Sequence, residues 1–268
     1  LVHKRGWSVE ECRLSLLQPG DPPPFTVVNG EGKAPFLMLC DHASKAVPQS
    51  LDQLGLSDWE LSQHVGWDIG AAETAAHIAR ALDAPLVQSG YSRLVIDCNR
   101  RLDDPTSIPP ISDKIVIPGN RDLTPVDRAE RAEACFWPYH REVARRLDDF
   151  VQRGITPSIV IIHSFTPQMA GFKRPWHVGV LWDGDTRVAP RLLDGLRRRD
   201  DIHVGDNEPY SGKSEHEFTL TYHTLARDLP RVSLEIRQDL IGDSEGCRKW
   251  ADILIPAFGY ALNLPGYD

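Results

Sequence analysis

Three short apolar runs end on polar, chemically capable residues, and this pattern constrains the chain more than any bulk property. Phe36-Leu37-Met38-Leu39-Cys40 runs into Asp41-His42, Ser158-Ile159-Val160-Ile161-Ile162 into His163-Ser164, and Val232-Ser233-Leu234 into Glu235 and then Arg237. Near-continuous apolar runs of this length are expected of strands buried on both faces, which belong to mainly parallel sheets covered by helices. Helical stretches fall between them. Ser57 to Val65 opens with a capping box, Ser57 followed three residues on by Glu60. Ala71 to Leu82 is alanine-rich. Pro125 to Arg153 is amphipathic with a break expected near Pro138, and Ala189 to Arg199, Phe218 to Arg227 and Gly246 to Leu262 complete the set. Further strands are expected at Leu86 to Ser89, Ser92 to Cys98 and Val178 to Trp182. This alternation predicts an α/β fold: a single-domain three-layer sandwich around a mainly parallel mixed sheet. The Pro- and Gly-rich start reads as an irregular N-terminal arm, residues 1–32, before one domain, residues 33–268. The stretch from Arg101 to Asp122, with four prolines, reads as a long loop, functional or mobile.

Composition narrows the function classes. The 268 residues are 41% hydrophobic and 25% charged, as in ordinary globular chains, and the net charge of -8 argues against a nucleic-acid partner. Arg197-Arg198-Arg199 is followed at once by Asp200-Asp201, so the basic run reads as a solvated helix end. Cys12, Cys40, Cys98, Cys135 and Cys247 are scattered with no C-x-x-C spacing, which excludes a zinc knuckle and suits a reducing compartment. Leu1 to Glu11 is polar and lacks a signal-peptide core, and no apolar run reaches a membrane span. The expectation is a cytoplasmic protein without a membrane partner.

In open α/β sheets ligands bind outside the carboxyl ends of the strands, where two histidines and a glutamate are delivered here. Neutral imidazoles bind zinc well, and a catalytic zinc needs three protein ligands plus an open position. The alternative is that each histidine is an unrelated, hydrogen-bonded strand-end residue. A second constellation, Ser92-Arg93-Leu94-Val95-Ile96-Asp97-Cys98-Asn99-Arg100-Arg101, places guanidinium groups, an amide and a carboxylate together. Arginine holds carboxylates bidentately, so the segment either binds an acidic substrate or pairs internally, Asp97 with Arg93 or Arg100. Ser164 lacks a G-x-S-x-G setting and reads as a neighbour of the site rather than a nucleophile.

The blocks D-H-A-S (Asp41 to Ser44), W-D-I-G (Trp67 to Gly70), S-R-L-V-I-D-C-N-R (Ser92 to Arg100), H-S-F-T-P (His163 to Pro167), R-P-W-H-V-G-V-L-W (Arg174 to Trp182), D-N-E-P-Y-S-G (Asp206 to Gly212) and E-I-R-Q-D-L (Glu235 to Leu240) resemble the N-formylglutamate amidohydrolase family. That resemblance implies a zinc-carboxypeptidase-like fold, shared with aspartoacylase-type deacylases, and a divalent metal, with zinc favoured by histidine ligation and cobalt, manganese or iron able to substitute. It implies His42 and His163 as metal ligands. The carboxypeptidase pattern His-x-x-Glu is broken here, because Lys45 stands three residues after His42. Asp68 is the preferred third ligand, ahead of Asp41 and Asp97, although Asp68 could instead cap the following helix.

By the same resemblance Glu235 is the general base. Arg93 is suited to stabilise the oxyanion, and Asn99, Arg100 and Arg237 to hold substrate carboxylates. Tyr210 either closes over the substrate or is a surface turn residue. Arg174 and His177 are weaker site candidates, and Trp176 and Trp182 read as core. The implied activity is hydrolysis of an N-acyl amino acid, releasing formate or another small acyl group, with N-formyl-L-glutamate first. A non-catalytic binder of small carboxylates is the alternative that Lys45 keeps open. The expected partner is therefore a small molecule, and the oligomeric state stays open.

Overall fold

The computed structural model of the chain describes residues 16–213 and 217–267. The first fifteen residues of the expected arm, Cys12 among them, lie outside the described residues. The described chain runs β1 (Phe25–Val28), β2 (Phe36–Cys40), α1 (Asp58–Leu61), α2 (Ala71–Ala81), β3 (Leu86–Ser89), β4 (Ile111–Ser112), β5 (Ile115–Val116), α3 (Pro125–Arg131), α4 (Trp137–Gln152), β6 (Ser158–Phe165), β7 (Gln168–Met169), β8 (Phe172–Lys173), β9 (Val178–Leu181), α5 (Ala189–Arg197), β10 (Val204–Asp206), α6 (Phe218–Thr224), β11 (Arg231–Arg237) and α7 (Ser244–Ala261).

One seven-stranded sheet has the order β1-β3-β2-β6-β11-β9-β10. Its centre, β3-β2-β6-β11, is parallel, whereas β1 and β9 join antiparallel to β3 and β11, and β10 runs parallel to β9. Period-two alternation divides β2 between two cores. Phe36, Met38 and Cys40 pack with residues of α2, α5 and α7 on one face; Leu37 and Leu39 pack with Tyr139, Val143 and Leu147 of α4 on the other. The three-layer α/β architecture expected from the sequence is therefore present. No helix among the described residues is long and apolar enough to cross a membrane.

Four local expectations change. First, residues 25–28 of the arm form β1, an edge strand paired with β3. Second, Ser92 to Cys98 is a run of turns rather than a strand. Ser92 Oγ accepts from Leu94 N, and Asp97 Oδ1 accepts from Asn99 N, so short polar side chains give the backbone local partners in place of a ladder. Third, the helical stretch continues across Pro138. A π-helical segment, Ala132–Phe136, precedes α4 and shifts the hydrogen-bond register, leaving Pro138 in the first turn of α4 where its missing N–H is tolerated. Fourth, the expected helix Ser57 to Val65 is one turn, α1, with the capping box in place. Arg101 to Asp122 carries the hairpin β4-β5 and short 3-10 turns.

Candidate metal centre and active site

Because β2, β6 and β11 run parallel, their carboxyl ends share one edge of the sheet. His163 on β6 pairs in register with Glu235 on β11, and His42 follows β2 by two residues. Asp68 arrives from the loop before α2. Gly70, at φ +76°, turns that loop into the helix, and a Cβ there would lie 1.9 Å from the Ile241 carbonyl oxygen. The Asp68 side chain does not cap α2, whose N-cap residue Gly70 offers no side-chain bond. It turns into the site instead.

There, Asp68 Oδ2 lies 3.2 Å from His42 Nδ1 and 2.8 Å from His163 Nδ1, with Ser164 N at 3.3 Å. All three side chains are buried, and their ligand atoms lie within 4.8 Å of one another. Each histidine turns its other nitrogen to a further aspartate: His42 Nε2 is 2.7 Å from Asp97 Oδ1, and His163 Nε2 is 3.6 Å from Asp41 Oδ2. Asp41 is itself held by Tyr139 Oη at 2.6 Å and Thr219 Oγ1 at 3.0 Å.

This donor set fits a divalent cation. Without one, His42 needs a proton on both ring nitrogens to satisfy the carboxylates on its two sides. Burial and Arg93 oppose that charge, but Asp97 and Asp68 outweigh them and raise its pKa. Burial likewise lowers the His163 pKa, yet the hydrogen bond and charge of Asp68 prevail and bring it to about 10. A cation held by His42, Asp68 and His163 would leave both imidazoles neutral, with His42 Nε2–H donating to Asp97, the usual outer support of a metal-binding histidine, and His163 Nε2 turned toward Asp41 at 3.6 Å. The cation also offsets several buried carboxylates, which otherwise carry a desolvation penalty.

The ligands open onto a cavity of about 250 Å³ lined by His42, Asp68, Arg93, Asn99, Arg100, His163, Ser164, Tyr210, Glu217 and Glu235. Eight of the nine residues expected in the site from the sequence meet here. The exception is Arg237, which lies outside the lining and pairs with Asp239 at 2.8 Å. Arg93 holds Asp97 through Nε and Nη2 at 3.1 and 2.7 Å and approaches Asp68 at 3.6 Å. Asn99 is committed internally, its Oδ1 accepting from Thr219 N at 2.9 Å. Burial pushes the Glu235 carboxyl up to about 8, and its Oε2 has no hydrogen-bond partner among the described residues. Ser164 Oγ donates to the Ile69 carbonyl, as suits a supporting neighbour. Lys45 donates to Ser62 Oγ at 2.8 Å, away from the lining. Arg174 lies over the Tyr210 ring at 4.9 Å, and His177 Nδ1 accepts from His203 N. A second cavity of about 440 Å³ shares Arg93, Arg100 and Tyr210 with the first and extends past Leu94, Ile111 and Met169.

The N-formylglutamate amidohydrolase family model matches residues 34–242, which takes in every one of these lining residues. The chain belongs to this family. A solved gene product of Agrobacterium tumefaciens is similar at 35% identity and TM-score 0.89, over 92% of this chain and 98% of that one. The N-formylglutamate amidohydrolase of Ralstonia eutropha has the same fold, at 19% identity and TM-score 0.70, over 90% of this chain and 98% of its own. No curated protein sequence matches the chain.

Sequence reasoning missed Glu217, Tyr139 and Thr219. Glu217 stands two residues after Glu215 in a polar stretch before an apolar helix, and nothing local distinguishes the two. Tyr139 follows Pro138 on what reads as a core face, so its hydroxyl gives no signal of a buried carboxylate opposite.

Proposed function

We propose that this family member is a divalent-metal amidohydrolase that cleaves an N-acyl amino acid, with N-formyl-L-glutamate as the first substrate. The observation that carries this reading is the buried convergence of His42, Asp68 and His163 in one cavity with Glu235, whose Oε2 has no partner among the described residues. His42, Asp68 and His163 hold the cation, and zinc suits two imidazoles and a carboxylate. Such a cation supplies Lewis acidity toward the acyl carbonyl and lowers the pKa of water.

The remaining chemistry belongs to the chain. Glu235 takes the proton of the attacking water and returns it to the nitrogen as the amide C–N bond breaks; the hydroxyl goes to the acyl carbon. A carboxyl pushed up to about 8 by burial exchanges protons near neutrality, as that role requires. Arg93, kept charged by Asp97 and Asp68, faces the cavity as the oxyanion partner. Arg100 holds the substrate carboxylate, with Tyr210 at the boundary of the two cavities. Asn99 acts by positioning its neighbours, and Arg237 braces the end of β11 rather than touching substrate.

Elemental analysis of purified protein, with formate release from a panel of N-formyl and N-acetyl amino acids, tests the proposal. His163→Ala is expected to lose both metal and turnover; formate release at an unchanged rate would refute the metal-dependent reaction.

A further inference from the structure

Two buried carboxylates face the cavity with an oxygen that has no hydrogen-bond partner among the described residues, Glu235 Oε2 and Glu217 Oε2, and the reaction above uses only the first. Glu217 is 9% exposed and immediately precedes α6, yet its side chain does not cap that helix. It faces the Asn99 side chain instead, whose amide oxygen is fixed by Thr219 N. The carboxylate thus meets Asn99 on one side, and it lines the cavity together with His42, Asp68 and His163. A buried acceptor without a protein partner is costly, so a ligand that brings a donor to this oxygen is favoured in the cavity.

An N-acyl amino acid offers few donors. Its acyl oxygen and its ionised carboxylates only accept, and the latter are repelled by Glu217. The amide N–H remains, and hydrolysis turns that nitrogen into an ammonium. We infer that Glu217, facing Asn99, is the subsite for the leaving nitrogen: it accepts the N–H of the substrate amide and then binds the ammonium of the product. This rests on the reading of the cavity as a site for N-acyl amino acids. It defines the substrate class further, as secondary amides of primary amino acids. Tertiary amides such as N-acyl-N-methyl amino acids have no hydrogen for Glu217.

Two measurements test the subsite. By titration calorimetry on the purified protein, Glu217→Gln weakens L-glutamate binding roughly 10- to 100-fold, as expected for a charge-assisted bond. Glutarate, the same dicarboxylate without the nitrogen, binds the variant as it binds the parent. Glu217→Asp, which keeps the charge, restores part of the preference for glutamate. In turnover, the parent favours N-formyl over N-formyl-N-methyl amino acids and Glu217→Gln narrows that ratio.

Equal losses for glutamate and glutarate, or no loss for either, would overturn the subsite, because a purely structural role moves both ligands together. Preference for another N-formyl amino acid overturns the named substrate alone. The contrast is then read on that amino acid and its analogue lacking nitrogen.

Discussion

His42 Nε2 stands 2.7 Å from Asp97 Oδ1 while its Nδ1 faces Asp68, so one imidazole is gripped by carboxylates on both sides. Asp97 also accepts both nitrogens of the Arg93 fork and the backbone N–H of Asn99. Orientation of His42, the first of the proposed metal ligands, and placement of Arg93 therefore depend on a single side chain.

Replacing Asp97 with Asn should weaken metal binding about 10- to 100-fold, the usual effect of losing an outer partner of a metal-bound histidine. Competition with a chromophoric chelator measures this. Unchanged affinity would mean that Asp97 serves Arg93 alone.

Glu235→Gln separates chemistry from binding. A general base contributes about 10²- to 10⁴-fold, so kcat for formate release should fall by that factor while metal content and the affinity for N-formylglutamate stay within a few-fold. A small change in kcat would point to another base, and a collapse of affinity would make Glu235 a binding group.

Gly70→Ala tests the turn that brings Asp68 into the site. The residue adopts φ +76°, and a Cβ would meet the Ile241 carbonyl at 1.9 Å. Left-handed strain of about 1–2 kcal/mol adds to the displacement of packed backbone, for a total of at least about 2 kcal/mol. Urea unfolding should show that loss, with weaker metal binding from the displaced Asp68.

A buried histidine pair makes stability fall in acid. His140 Nδ1 lies 2.9 Å from His223 Nε2, and His140 Nε2 donates to the Cys98 carbonyl at 3.0 Å. Burial lowers both pKa values to about 3, with His223 adding to the effect on His140 and Arg227 to that on His223. Both rings are neutral in the folded protein, whereas in the unfolded chain they titrate near about 6.5. Between these values the unfolded state binds more protons. The contribution is complete above about pH 6.5 and declines as the pH falls toward 3. From pH 7.5 to 5.0 the unfolding free energy should drop by roughly 2–4 kcal/mol from this pair. His223→Gln keeps a donor toward His140 and should flatten about half of that slope in denaturant titrations.

Much of this organisation is legible in the sequence. The apolar runs that become β2, β6 and β11 leave little choice but a sheet buried on both faces, and parallel strands bring their carboxyl ends to one edge. His42, His163 and Glu235 could therefore be read as neighbours while 72 residues still separated the last two. Strand character failed at Ser92 to Cys98, where β-branched and apolar residues suggest a ladder but the Ser92 and Asp97 side chains capture the backbone first. Local pattern carries no record of such captures.

The sequence by itself determined the layered α/β architecture, the family and the two histidines, because periodicity and motif order survive without coordinates. Only the tertiary structure decided the rest: that Asp68 enters the site instead of capping α2, that Arg237 turns to Asp239, and that Glu217 reaches the cavity. These outcomes depend on which buried polar atom finds a partner across long chain separations. That pairing is fixed by packing and desolvation in three dimensions, and residue type and spacing do not encode it locally.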